Sequence, residues 1–533
     1  MNAASTMDCI ASFDIGSSAV KAVLVSRDGQ MRLAPTVSYR NPVAGCEQHP
    51  EEWWLAFCEA LQLWWSQGVA PSSIAALTFS GQMQTLIALD AHGNVLCPAW
   101  LHTDARAGHA AARITEQLGV DEIHRVTRNP FNATSVLPKL LHLKTHHPAL
   151  WERCERVLVG AKDFIIQRLV GCTVTAPTTA ATTGMYNIEE GMWAHDWFTE
   201  LGLKAVVPEL ANADARVSVV STQASATTGV SAGCPVLCGL GDAAASTLGA
   251  GLSDASHCYA YLGTSGWVAR VSHNTSEQFN PPGAPLFVLP YLRSKSDGLV
   301  RRILIGPISN AGAVHRWALA WLDASADVSE AQRYGLFEQA VASAPVDAKL
   351  MFLPCLNSER LPVNSSAGQG ALVGLSMDTT RAQLMRAALE GVSLSLRWAL
   401  DLLQADGDSM ARELTVVGGA TRSAQWMQIL ANCIDVPLHI APDADRLPCL
   451  GAAATAAVAL GWCTQPKDFV QQRNSLTSNA TAHSVHPQPG AAAQMQAKSA
   501  CWRALQAAVS TLSDTPPLSP TISCVFQPTQ ESR

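Results

Sequence analysis

The chain has 533 residues, of which 48% are hydrophobic and 15% charged, with a formal net charge of -7. That balance fits a soluble globular protein too long for one ordinary core, so two to four domains are expected. It has no basic cluster of the kind that grips nucleic acid and no apolar stretch of membrane-spanning length, so neither partner is expected.

The start "MNAASTMDCIASFDIG" lacks a basic region followed by an apolar run, and no secretory leader is expected. Fifteen cysteines are scattered as singles without a C-x-x-C pair. Cys234 and Cys238 lie closest and have no second half to complete a zinc site, so the expectation is reduced thiols in a cytoplasmic protein.

In chain order, "CIASFDIGSSAVKAVLVSRDGQMRLAPTVSYR" reads as strands, two of them flanking "GSS" and a third following "RDGQ". The tryptophans of "EEWW" and "LWWSQG" read as helix and core packing. "SSIAALTFSG" reads as a strand running into a Gly-Gln-Met-Gln loop, and "TLIALDAHGNVL" as a hairpin pivoting on His92, Gly93 and Asn94. "VLPKLLHLKTHHPALWERC" has helical spacing with a proline interruption, and "KDFIIQRLVG" is a helix stopped by Gly171. Farther on, "RAQLMRAALEGVSLSLRWALDLLQAD" carries the clearest helical period of the chain. "ELTVVGGA" is a buried strand entering a glycine turn, and "LGAAATAAVALGW" suits a closely packed internal helix. "TSNATAHSVHPQPG" reads as a linker into a last amphipathic helix, and the Pro- and Ser-rich end as a flexible tail.

Two of these segments resemble each other. "FDIGSSAV" and "AYLGTSGW" superpose Gly16 on Gly263, Ser17 on Thr264 and Ser18 on Ser265. The copies stand roughly 250 positions apart, which points to duplicated domains rather than a solenoid. Glycine lets such a turn press its backbone on a ligand, and successive N–H groups and hydroxyls can cradle phosphate oxygens. Alternating strands and helices, with glycine turns at strand ends, point to α/β layers that bind ligands at those ends. Between the copies, "GLGDAAASTLGAG" places Asp242 among small residues. A carboxylate there is a catalytic base, a metal contact, or simply the start of a small-residue helix.

The ordered set of segments resembles the FGGY carbohydrate kinases, nearest to xylulokinases, from about Ser12 to about Val509. The most diagnostic piece is residues 370–390, "GALVGLSMDTTRAQLMRAALE", supported by "DIGSSAVK", "EQHPEEWW", "SGQMQTLIALD", "PKLLHLK", "KDFIIQRLVG", "YLGTSG", "FLPCLNSER" and "VVGGATRSAQW". The resemblance implies a two-domain actin/hexokinase-like α/β fold with an interdomain cleft: an N-terminal domain at 1–250, a C-terminal domain at 251–512 and a tail at 513–533. It implies ATP and Mg²⁺ as cofactors and a sugar or polyol as acceptor. Family members are often homodimers, which no residue of this chain shows.

The same resemblance assigns roles. Asp14, Gly16, Ser17, Ser18 and Lys21 match the first phosphate loop, with Asp14 at the Mg²⁺ directly or through water. Gly263, Thr264 and Ser265 match the second loop. Gly418, Gly419 and Ala420 match the nucleotide turn, with Ser423 after it, and Gly312 and Arg316 match further nucleotide contacts. Gln82, Met83, Gln84, Asp104 and Arg106 match the sugar-side segments, and Asp242 the catalytic base. Glu359 and Arg360 read as a loop anchor or an interdomain ion pair, with a ligand role open.

The chain departs from the family pattern on the sugar side. Gln84 replaces a histidine, "LHTDAR" replaces W-N-D-x-R, and Ala176 stands where an acid is frequent. Glutamine can hydrogen-bond but cannot titrate, so a polyhydroxylated acceptor fits while its identity stays open. A ketopentose such as xylulose leads. A polyol or sugar acid (glycerol, erythritol, gluconate) and a non-catalytic sugar-binding sensor are the alternatives.

Overall fold

The structure, a computed structural model, describes residues 8–41, 45–252, 258–272, 286–293, 300–322, 328–356, 359, 370–404, 412–441, 443–477 and 483–513. The stretch read as a tail lies outside them, apart from Ser513, which ends the last helix.

Two mixed sheets organise these residues, and each is built on the same plan. In the first, β1 (Cys9–Ile15) forms an antiparallel hairpin with β2 (Ala19–Ser26), and β2 pairs Met31–Leu33. On its other edge β1 runs parallel to β3 (Ile74–Gly81), and β3 to β4 (Pro235–Leu237). In the second, β5 (Cys258–Leu262) forms an antiparallel hairpin with β6 (Gly266–Ser272), which pairs β8 (Val300–Ile308), itself flanked by β7 (Phe287–Arg293). β5 runs parallel to β9 (Leu414–Val417), and β9 to β10 (Leu438–Ile440). Hairpin and parallel neighbours recur in the same order, so the similarity of the two glycine turns is a similarity of whole sheets. This is a two-domain α/β fold.

The strands form where the sequence supplies runs of apolar, β-branched and small residues. Every residue of β1 and of β3 is buried, because both faces of the first sheet are covered. Helix α1 (Pro50–Ser66) covers one face, with Trp53, Phe57 and Trp64 wholly buried. Phe13 meets Phe57 edge-on at 4.7 Å and Trp64 at 5.2 Å. The tryptophan-rich segment is therefore core packing, as its spacing predicts.

The proline-interrupted segment becomes two helices, α2 (Val136–His146) and the short Pro148–Arg153. Pro138 sits in the first turn of α2, where a missing N–H costs nothing, and the break falls at Pro148. Helix α3 (Ala161–Val170) stops at Gly171, whose φ of +77° closes it in the left-handed conformation. The expected linker after 477 is in part a strand: His483–Val485 pairs antiparallel with β10, Val485 opposite Leu438. Three residues are too short to show a period of two, so the sequence did not reveal it.

The other face of the first sheet is covered from a distance. Helix α8 (Leu447–Ala459) lies far down the chain yet packs on β1 and β3. Ser12 Oγ donates to the Cys449 carbonyl at 2.6 Å and Thr78 Oγ1 to the Ala452 carbonyl at 3.4 Å. Helix α4 (Asp242–Gly249) packs along α8. A Cβ on Gly451 would stand 1.9 Å from the Ala245 carbonyl oxygen, and one on Gly249 would stand 2.1 Å from that of Leu447. The Ala- and Gly-rich composition of both helices is what lets their backbones approach so closely. From the second sheet, the Tyr259 hydroxyl donates to the Ala243 carbonyl at 3.1 Å. The α4–α8 pair is thus the seam between the two sheets.

Candidate active site

The first glycine turn joins β1 to β2. Gly16 N donates to the Ala19 carbonyl at 3.1 Å, and the hydroxyl of buried Tyr39 donates to the Gly16 carbonyl at 2.8 Å. Ser17 and Ser18 are exposed at its tip. Asp14 lies two residues before, at the end of β1, with Lys21 opposite on β2 and Ser80 opposite on β3. Ser80 Oγ donates to Asp14 Oδ1 at 3.1 Å. Burial pushes the Asp14 carboxyl above the usual carboxylate range, and Lys21, the Ser80 hydroxyl and Arg446 pull it back only in part.

The second turn joins β5 to β6 and is closed by Gly263 N donating to the Ser265 carbonyl at 2.9 Å. The start of α5 (Gly312–Ala318) docks on it. Gly312 N donates to the Gly263 carbonyl at 2.8 Å, Ala311 N and Ala313 N to that of Thr264 at 3.2 and 3.0 Å, and Arg316 Nη2 to Thr264 Oγ1 at 3.3 Å. A Cβ on Gly312 would stand 2.4 Å from the Gly263 oxygen, so only glycine fits this contact. The segment before α5 is held in turn by buried Glu359. Its carboxylate accepts from Ser309 N at 2.6 Å and from Asn310 Nδ2 at 3.1 Å. Glu359 is a loop anchor; Arg360 lies outside the described residues.

The third glycine turn follows β9. Gly418 has a φ of +102° and lies against the Leu262 carbonyl at the end of β5, while Gly419 is exposed and open. Ser423 is engaged otherwise: its hydroxyl caps α7 (Ala424–Ile434), accepting from Trp426 N at 3.1 Å, and donates to Glu338.

Among the residues expected on the sugar side, those of the loop after β3 touch the first turn directly. Gln82 N donates to the Ile15 carbonyl at 3.0 Å and Gln82 Nε2 to that of Gly16 at 3.4 Å. Gln82 Oε1 is buried with no partner among the described residues. Gln84 adopts a φ of +56°, unusual for a side chain of its size, and its Nε2 donates to the Thr182 carbonyl at 3.0 Å. Asp104 is buried and paired with Arg106, whose Nε lies 2.7 Å from Oδ2. Arg106 also pairs with Glu47 and lies 4.5 Å from the centre of the Trp100 ring.

Asp242 is the first residue of α4, and Ala243 N donates to its Oδ1 at 2.8 Å. Just before it, Gly241 N donates to Thr178 Oγ1, and a Cβ on Gly241 would stand 2.2 Å from the Met83 sulfur. Asp242 therefore adjoins the loop of Gln82, Met83 and Gln84. Tyr261 lies beside the second turn: its ring stacks on Trp267 at 4.0 Å, and its hydroxyl would stand 2.6 Å from a Cβ on Gly263. Burial raises that hydroxyl, and the charges of Asp14, Asp242 and Asp445 raise it further. The negative charges of Asp14 and Asp242 are thus both felt at the phenol beside the second glycine turn. Ser80 and Tyr261 open the segments "SGQMQTLIALD" and "YLGTSG" but had no role assigned to them; Ser80's bond to Asp14 follows from the register of β3 against β1.

Two family models match the chain in order: the N-terminal domain of the FGGY family of carbohydrate kinases at residues 9–249 and its C-terminal domain at 258–460. The chain is 29% identical to the xylulose kinase of Bacillus subtilis over 474 residues, covering 87% of this chain and 91% of that one. It is 27% identical to the xylulose kinase of Staphylococcus xylosus over 463 residues, covering 86% and 92%. Among solved structures it superposes on the gluconate kinase and on a ligand-bound xylulose kinase of Lactobacillus acidophilus. Each has a TM-score of 0.82 and 25% identity, and each match covers 94% of this chain and 98% of the other. With both halves of the fold, both glycine turns and both family models in register, the chain belongs to the FGGY family of carbohydrate kinases, enzymes that phosphorylate an alcohol group.

Proposed function

We propose that this kinase transfers the γ-phosphoryl group of ATP to a terminal hydroxyl of a ketopentose, xylulose or a close relative, with Asp242 as the base. The observation that carries the reading is the position of Asp242. It stands at the head of a seam helix, against the Met83 loop and next to Ala243, whose carbonyl accepts from Tyr259 of the second sheet. A sugar hydroxyl is a poor nucleophile, and a carboxylate accepts its proton as the new O–P bond forms and the bond to ADP breaks.

The other roles follow from what each group can do. Gly16, Ser17, Ser18, Lys21, Gly263, Thr264 and Ser265 hold the phosphates, and Gly312, Arg316, Gly418, Gly419 and Ala420 hold the rest of the nucleotide. Ser423 acts through α7, because its hydroxyl is already used on Trp426 and Glu338. Gln82, Met83, Gln84, Asp104 and Arg106 shape the acceptor side. Mg²⁺ is bound through few protein carboxylates and mostly through water and phosphate oxygens. Asp14, a buried carboxylate beside the first turn, fits that role, and bound Mg²⁺ would neutralise charge on the phosphates.

Gluconate is the second acceptor, favoured by the match to the Lactobacillus acidophilus gluconate kinase. A carboxylate acceptor needs a cation with charge to spare. Arg106, from the acceptor-side segments, is already paired with both Asp104 and Glu47, which favours a neutral sugar. Two experiments test the proposal. A panel of ketoses, polyols and sugar acids, with ATP consumption and product position determined, identifies the acceptor. Asp242→Asn is expected to lower kcat by about 10²–10⁴-fold with ATP binding kept, the usual worth of acid–base catalysis. An unchanged kcat would remove the assignment.

A further inference from the structure

The lysine of "PKLLHLK" has no part in the chemistry above, yet its side chain is wholly buried in α2. Lys139 Nζ donates to the Gln84 carbonyl at 3.0 Å and to the Leu101 carbonyl at 2.7 Å. An ammonium removed from water is costly unless hydrogen-bonded, and charge-assisted bonds are the strong kind. These two bonds are therefore a main reason the cation is tolerated there. The two carbonyls belong to different acceptor-side segments, one carrying Gln82, Met83 and Gln84, the other leading into Asp104 and Arg106. Lys139 lies in a stretch of α2 whose residues 136–141 are all buried, so its stem is packed inside the protein.

The backbone at Gln84 needs such a hold. Its φ of +56° is disfavoured for a glutamine and persists only where surroundings impose it. Lys139 holds the peptide carbonyl, and the Thr182 carbonyl holds the side-chain amide. The preceding residue, Ala181, accepts from Asn129 Nδ2 at 3.1 Å, and Asn129 also exchanges two hydrogen bonds with Val288 of β7. The acceptor loop is thus fastened on one side to α2 and on the other, through Asn129, to the second sheet.

We infer that Lys139 is a positioning residue of the acceptor site: its ammonium staples the Gln84 and Leu101 carbonyls together and sets the spacing of the two segments that receive the sugar. The inference rests on the acceptor-side reading of those segments. It requires no proton exchange at Lys139.

The test is Lys139→Met, which keeps the apolar stem and removes the donors. With the acceptor found by the panel, kcat/KM for the acceptor is expected to fall by about 10²-fold, the cost of a roughly 1 Å misplacement, while KM for ATP changes little. Lys139→Arg, which can still donate to two carbonyls, should recover part of the loss. Should the Met variant not fold, Lys139→Gln carries the same comparison. A lower melting temperature with acceptor kcat/KM unchanged, or equal losses for acceptor and ATP, would show a purely structural lysine and overturn the inference. Wild-type turnover on the panel decides the functional reading by itself. The ratio of variant to wild-type acceptor constants, with ATP as internal reference, decides the role of Lys139.

Discussion

Asp242 was a candidate from its small-residue surroundings, which equally suit the start of a helix, and Asp14 was named through the resemblance. Their environments were not legible. Asp14 is buried between two strands with its carboxyl pushed up by burial, at the position where Mg²⁺ is proposed to bind. This has a measurable consequence. Asp14→Asn removes a charge that burial penalises, so the ligand-free variant should melt higher than the wild type at neutral pH while losing activity. The gain should shrink as pH falls toward the raised pKa of Asp14, because the wild-type carboxyl then becomes neutral too. A calorimetric melting series from neutral to acid pH checks this; a variant that melts lower at neutral pH would count against it. Gln84 shows the opposite limit: its departure from the family histidine was visible, but its left-handed backbone was not, since no local pattern requires it.

At the scale of elements, the glycine hairpins and the long helix α6 (Arg381–Leu403) were readable because turn chemistry and helical period are local. Helix α6 even carries its start signal, a capping box between Thr380 and Gln383. The docking of α5 on the second turn was not readable in the same way. It depends on Glu359, many residues away, and on what packs beneath. There His315 lies 4.7 Å from Phe337 and 5.3 Å from Trp426, ring centre to ring centre, with Nε2 unpartnered among the described residues. Burial, helped by Arg316, lowers its pKa from 6.5 to about 4. A depressed pKa gives stability that is present above 6.5 and lost as pH falls through 4, roughly 3 kcal/mol in all. His315→Phe should therefore lose less stability than the wild type between pH 7 and pH 4, read as urea midpoints at each pH. Equal losses would show that His315 is not charged on unfolding in acid.

At the scale of the whole molecule, the α4–α8 pair packs on the first sheet and carries the Tyr259 link to the second. Gly451→Ala is a sharp probe of it. Alanine gains up to about 1 kcal/mol of helix propensity over glycine. Against this, its Cβ would stand 1.9 Å from the Ala245 carbonyl oxygen, a backbone atom that no rotamer change can move. Overpacking of this kind costs about 1–3 kcal/mol, so the contact wins and the variant should be less stable by thermal melting. An unchanged melting temperature would mean that the helices part without cost.

The sequence by itself determined the duplicated α/β plan, the glycine turns, the candidate base and the family, because each is written in short contiguous segments whose chemistry is local. Only the tertiary structure decided that α8 covers the sheet at the other end of the chain, that Tyr259 of the second sheet reaches the Ala243 carbonyl of α4, and that Lys139 joins the Gln84 and Leu101 carbonyls. Those relations are made by hydrogen bonds and packing between positions far apart in the chain, and no periodicity or spacing within a single segment encodes them.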